Sequence, residues 1–114
     1  MKYWITINEA WSVAIGGYEQ GKKAPGFKSV EQGGTGKPYL IGHHLLLAHA
    51  QAVQVYREEG YANWYLHGNA NKTGIIGISH SGDYRFPADP KSKDDRDAAT
   101  RAMEFQMGWM VRSS

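Results

Sequence analysis

No cysteine occurs among the 114 residues, so disulfides and thiolate metal sites are excluded and the redox compartment stays open. Nor is there a run of 18 apolar residues, and the stretch from Met1 to Ile7 is too short to supply the apolar region of a signal peptide. The expectation is a soluble, untargeted chain with no membrane partner. An excess of one charge is missing too: 13 basic and 11 acidic residues leave a formal charge of +2. The charges are interleaved, as at Lys91, Lys93, Asp94, Asp95 and Arg96. A nucleic-acid partner calls for a one-sided basic face, and none is legible. Internal repeats and low-complexity tracts are also absent. What is present, 41% hydrophobic residues with 12% aromatic, suits one globular domain with a modest core.

Tyr3, Trp4, Ile5, Thr6 and Ile7 are all β-branched or aromatic, which predicts a short strand ending where Asn8 and Glu9 turn polar. Between Gly16 and Gly36 stand seven glycines and one proline, the composition of a long loop. Loops of such length are usually functional. Pro38 suits a first helical residue, and Ile41, Leu45, Ala48, Ala52 and Val55 follow at steps of three and four. With Gly60 as a stop, residues 38 to 59 read as a helix. Gly74 to Ser79 (GIIGIS) has isoleucines on both faces, the pattern of a strand buried from both sides in a parallel sheet. Asp94, Asp95 and Asp97 place negative charge where a helix dipole favours it, and Ala98, Ala102, Phe105 and Trp109 form that helix's apolar stripe. The order strand, helix, strand, helix implies parallel pairing. Two such strands leave unpaired edges and uncovered faces, so more strands must flank them.

Several motifs invite chemistry that their details refuse. Gly33, Gly34, Gly36 and Lys37 suggest a phosphate loop, yet Glu31 stands where its first glycine belongs and Pro38 where its Ser or Thr would bind magnesium. A plain loop is the better reading. Metal ligands on one helix face need spacings of three or four, whereas His43 to His49 is six and His44 to His49 five. These histidines read as surface or core-edge residues, and no metal is expected. Asn71-Lys72-Thr73 matches a glycosylation acceptor, a motif too short to carry weight alone. Glu9 is the informative residue, because it follows an apolar strand directly and so sits at the carboxyl end of a parallel strand. In (β/α)8 barrels that end is where catalytic groups project.

The wording around Glu9 goes further. The run Trp4-Ile5-Thr6-Ile7-Asn8-Glu9, then Gly17-Tyr18, Ala24-Pro25-Gly26, Gly42-His43 and Leu45-Leu46-Leu47-Ala48-His49-Ala50, resembles the family 1 glycoside hydrolases. The likeness continues through Tyr56-Arg57, Gly74-Ile75-Ile76-Gly77-Ile78 and Pro87 to Arg101-Ala102, Phe105 and Gly108-Trp109. It implies an α/β fold, a partial (β/α)8 barrel of two parallel strand-helix units corresponding to the family's strands 4 and 5, with residues 1–114 a fragment of a single barrel domain. A complete barrel takes about 250 residues. The resemblance also implies that Glu9 is the general acid and base, that Asn8 bonds the sugar hydroxyl next to the reacting carbon, and that the partner is a β-linked glycoside with no cofactor.

Departures stand beside the match. Ala10 replaces the family's usual proline and His44 its usual asparagine; Tyr61 to Thr73 is longer than the usual connection, and Tyr84 falls where tryptophan is common. The last two bear on leaving-group specificity. A Thr-Glu-Asn-Gly type run, which in the family carries the nucleophile, has no counterpart here. Since a retaining glycosidase needs two carboxyl groups about 5 to 5.5 Å apart, the 114 residues alone are expected to be inactive. Asp83, beyond the second strand, is the local carboxylate at the same end as Glu9. The alternative is a non-catalytic short module that binds sugar through Trp11, Tyr18 and neighbouring loop residues, or pairs with another chain.

Overall fold

The computed structural model describes residues 3–29, 36–60 and 74–112. Asn71, the Tyr61 to Thr73 connection, and Gly33 and Gly34 lie outside them. Strand β1 (Tyr3–Asn8) is followed by helix α1 (Ala10–Tyr18), helix α2 (Lys37–Glu58), strand β2 (Ile75–Ser79) and helix α3 (Lys93–Met103). A π-helical turn (Glu104–Gly108) and a short helix α4 (Trp109–Val111) close the order. β1 and β2 pair in parallel, as the crossover between them demands. Tyr3, Trp4 and Ile5 stand opposite Ile75, Ile76 and Gly77, but Asn8 stands opposite Ser79. Between Ile5 and Asn8 the first strand thus advances three residues while the second advances two. That is a β-bulge, one extra residue set just before the strand's polar end.

Helix α1 corrects the sequence reading, which assigns a loop from Gly16 and counts one helix between the strands. The helix runs through Gly16 and Gly17 to Tyr18, so the order is strand, helix, helix, strand, helix. Gly17 is buried, and a Cβ there would meet the Ala24 carbonyl oxygen at 2.6 Å. This glycine permits a close approach within a helix rather than ending one. The loop begins only after Tyr18 and folds back onto α1: Lys23 and Phe27 donate their amides to Gly16 and Gly17 at 3.0 and 2.9 Å. Ala10 is the first residue of α1 and wholly buried. Proline suits that helical position too, so alanine in place of the family's usual residue changes no backbone requirement.

The buried core is Ala10, Ala14, Leu46 and Met110, with Ile7, Trp11, Ile41, Leu45, Ile78 and Trp109 packed around it. α1, α2 and α4 therefore meet over the strand ends that carry Asn8 and Glu9. At Gly42 of α2 a Cβ would overlap the Trp109 ring and touch the buried Met110 of α4. Alanine would gain about 1 kcal/mol of helix propensity at this interior position. Forcing a rigid indole aside costs about 1–3 kcal/mol, so the clash wins. Gly42→Ala in a full-length barrel carrying this segment should lower the thermal midpoint; an unchanged or raised midpoint would show that α4 does not pack against α2 as described.

The last helix departs from its expected stripe. Ser92 caps α3 by accepting from the Asp95 amide, and Asp94 and Asp95 fill its first turn, as the charge pattern predicts. None of α3 is buried, however: Ala98 and Ala102 are exposed and Phe105 is 66% exposed. The wider π turn shifts the face that follows, so Gln106 and Met110 become the buried pair. Oriented to suit its neighbours, the Gln106 amide donates to the Asp83 carbonyl at 3.1 Å and accepts from the Asp83 amide at 2.7 Å. It thereby pins the loop that follows β2. No residue of β2 is fully buried among the described residues: Ile76 to Ser79 are half-buried and Ile75 is exposed.

Candidate active site

Glu9 lies between the end of β1 and the start of α1, with no loop on either side. One residue must turn the chain from strand into helix, and Glu9 does so in the left-handed region, at φ 55° and ψ 55°. It is the sole non-glycine with positive φ among the described residues. That conformation costs an L-residue about 1–2 kcal/mol, and such strain concentrates at working sites. The Glu9 amide donates to the Ser79 carbonyl at 2.8 Å, which ties the turn to the end of β2. The side chain is half-buried and caps no helix amide. Asn8, the residue before it, is exposed and in register with Ser79. Both side chains thus leave the carboxyl end of a parallel pair, where the sequence reading puts them.

The remaining candidates are drawn elsewhere. Asp83 pairs with Arg85 at 3.1 Å in an exposed position, so its carboxylate is directed to a neighbouring cation. Trp11 packs on the core, and Tyr18 stacks on Phe27 with ring centroids 5.7 Å apart. The two aromatics that would serve a sugar-binding module are therefore used within the fold. His43 and His44 are exposed on α2. Among the described residues no group of three or more His, Cys, Asp or Glu is placed to hold a metal ion, and no helix is long and apolar enough to cross a membrane.

Two histidines lie close to the two strands, one bonded to β1 and one directly after β2. His49 of α2 bonds through Nδ1 to Thr6 Oγ1 at 2.7 Å. His80, directly after β2, has both ring nitrogens shielded from water and without a partner among the described residues. Burial first, and the nearby His49 second, hold its pKa below the ordinary 6.5. The folded state resists a proton that the unfolded chain accepts near that ordinary value. Stability is therefore whole above it and lost as pH falls below it. In a full-length barrel carrying this segment, thermal midpoints should fall on going below about pH 6.5, and His80→Leu should flatten that fall. An unchanged pH slope in the variant would remove His80 as its source.

The model of glycosyl hydrolase family 1 matches residues 1–114, the full length of the sequence. The chain belongs to glycosyl hydrolase family 1. Its similarity to β-glucosidase 24 of Oryza sativa subsp. japonica is 41% identity, over 97% of this chain and 22% of that enzyme. Among solved structures, the β-glucosidase of Trichoderma harzianum superposes with a TM-score of 0.79 at 40% identity, over 96% of this chain and 20% of that one. A variant of the rice Os3BGlu6 β-glucosidase, in a covalent complex with Glc from GA4GE, superposes equally well, at 0.79 and 37% identity over 98% of this chain and 23% of that one. The family 1 segment described here therefore spans about a fifth of the length of these relatives. Its parallel strands and crossover helices are part of a (β/α)8 barrel.

Proposed function

We propose that residues 1–114 form part of a single (β/α)8 barrel domain, corresponding to its fourth and fifth strand-helix units, in a retaining hydrolase of β-linked glycosides. Glu9 is the general acid and base of that enzyme, and Asn8 holds the sugar hydroxyl beside the reacting carbon. The observation that carries this reading is the position of Glu9: a strained, half-buried carboxylate at the carboxyl end of β1, fastened to the end of β2 by its own amide.

The chemistry follows from two carboxyl groups with separate duties. As the bond between the sugar carbon and the glycosidic oxygen breaks, Glu9 gives its proton to that oxygen and the aglycone leaves as a neutral alcohol. A second carboxylate, from a segment other than these 114 residues, bonds the sugar carbon. Glu9, now ionised, takes a proton from water as the water oxygen attacks the same carbon and expels that carboxylate. The covalent complex with Glc in the rice β-glucosidase variant supports a path through an attached sugar. No cofactor enters at any step. The test is a comparison of good and poor leaving groups in a Glu9→Ala variant, and equal losses on both would overturn the assignment.

A further inference from the structure

We propose that Thr6 and His49 are positioning residues that set the aim of Glu9 through the β-bulge before it, an inference that rests on the role proposed for Glu9. The Thr6 hydroxyl donates to the Gly77 carbonyl at 3.1 Å. Its single proton is thereby used, so the 2.7 Å contact to His49 is one that the hydroxyl accepts from a protonated Nδ1. One side-chain oxygen thus joins three elements: β1, its neighbour β2, and α2 behind them. This junction sits where the register slips, between the Ile5–Gly77 pair and the Asn8–Ser79 pair.

The location gives the junction its consequence. Downstream, the Glu9 amide is held by the Ser79 carbonyl at 2.8 Å. The extra residue of β1 is therefore confined between two fixed points, the Thr6 hydroxyl and the Glu9 amide. Successive strand residues face opposite sides, so losing the bulge, and with it one residue of register, turns every later side chain of β1 to the other face. Pinning the bulge at Thr6 fixes which side Asn8 and Glu9 leave the sheet. Valine would fill the same strand position as well as threonine does, but would leave the Gly77 carbonyl and His49 without their shared partner.

The test uses a full-length family 1 barrel carrying this segment, assayed with an alkyl and a dinitrophenyl glucoside. Thr6→Val should lower kcat on the alkyl substrate by about 10- to 100-fold, the scale of a small misplacement of a reacting group. KM and the first step on the dinitrophenyl substrate should change little, because only the poor leaving group needs the proton. Thr6→Ser should restore most of the loss. In a Glu9→Ala background, Thr6→Val should cost nothing further on the alkyl substrate, since a residue that acts through Glu9 has nothing left to aim. Equal loss on both substrates, no rescue by serine, or a loss that persists without Glu9 would each overturn the proposal. Should Thr6→Val fail to fold, His49→Asn, which keeps an N–H donor, set against His49→Leu decides by the same selective loss. If Glu9→Ala alone slows both substrates equally, the assignment of Glu9 fails and this inference with it. If Glu9→Ala discriminates and Thr6→Val does not, the inference alone fails.

Discussion

Replacing Glu9 with alanine in a full-length barrel carrying this segment should slow alkyl glucosides by about 100- to 10,000-fold, the usual worth of general acid catalysis. An alkoxide is a far less stable anion than a dinitrophenolate, so protonation matters in proportion to how poor the leaving group is. The first step on dinitrophenyl glucosides should survive. The same variant should then stall as a covalent sugar intermediate, because the base that activates water is gone as well. Azide needs no base and should release the sugar as a glycosyl azide. Alanine is a fair control here, since it keeps a Cβ in the left-handed turn and leaves the backbone cost of about 1–2 kcal/mol where it was. Equal loss on alkyl and dinitrophenyl substrates, with no response to azide, would show that Glu9 is not the acid and base.

The 114-residue polypeptide expressed by itself should hydrolyse no aryl glucoside and should aggregate. One carboxyl group cannot complete a double displacement, and Asp83 is paired with Arg85. The sheet has two strands, so each has one edge that no other described strand pairs. Tyr3 is 61% exposed, Ile5 57% and Ile75 56% on that small sheet, and clustered apolar exposure of this kind drives association. Size exclusion and thermal unfolding check the second expectation. A monodisperse monomer with one cooperative transition would defeat it. Turnover that survives removal of host enzymes and vanishes in Glu9→Gln would defeat the first.

Strand and crossover geometry was legible in residue type. The β-branched and aromatic run from Tyr3 stops at Ile7, one residue before β1 ends, and the apolar spacing from Ile41 to Val55 lies wholly inside α2. Glu9 could be placed at a strand terminus because hydrophobicity stops at Ile7. Its left-handed backbone could not, since glutamate gives no sign of a positive φ. α1 was hidden by Gly16 and Gly17, which composition scores as breakers although Gly17 is where the return loop presses on the helix. The stripe from Ala98 to Trp109 assumed an unbroken helical period, and the π turn at Glu104–Gly108 breaks it. Thr6 looked like one more β-branched strand residue. Its partner His49 is 43 positions away, and local pattern carries no signal of such a contact.

The hydrogen bond from Glu9 to Ser79 has a consequence for dividing a barrel of this kind into two separately made pieces. Cuts outside β1 or beyond α4 leave the bulge, its Thr6 junction and the Glu9 turn within one piece. A cut between α2 and β2 separates Glu9 from Ser79, and Thr6 from Gly77, so the Glu9 carboxylate would have to be re-aimed at every reassembly. Split enzymes divided at the outer boundaries should therefore recover activity as the pieces associate. Those divided between α2 and β2 should associate first and regain turnover on poor leaving groups only later.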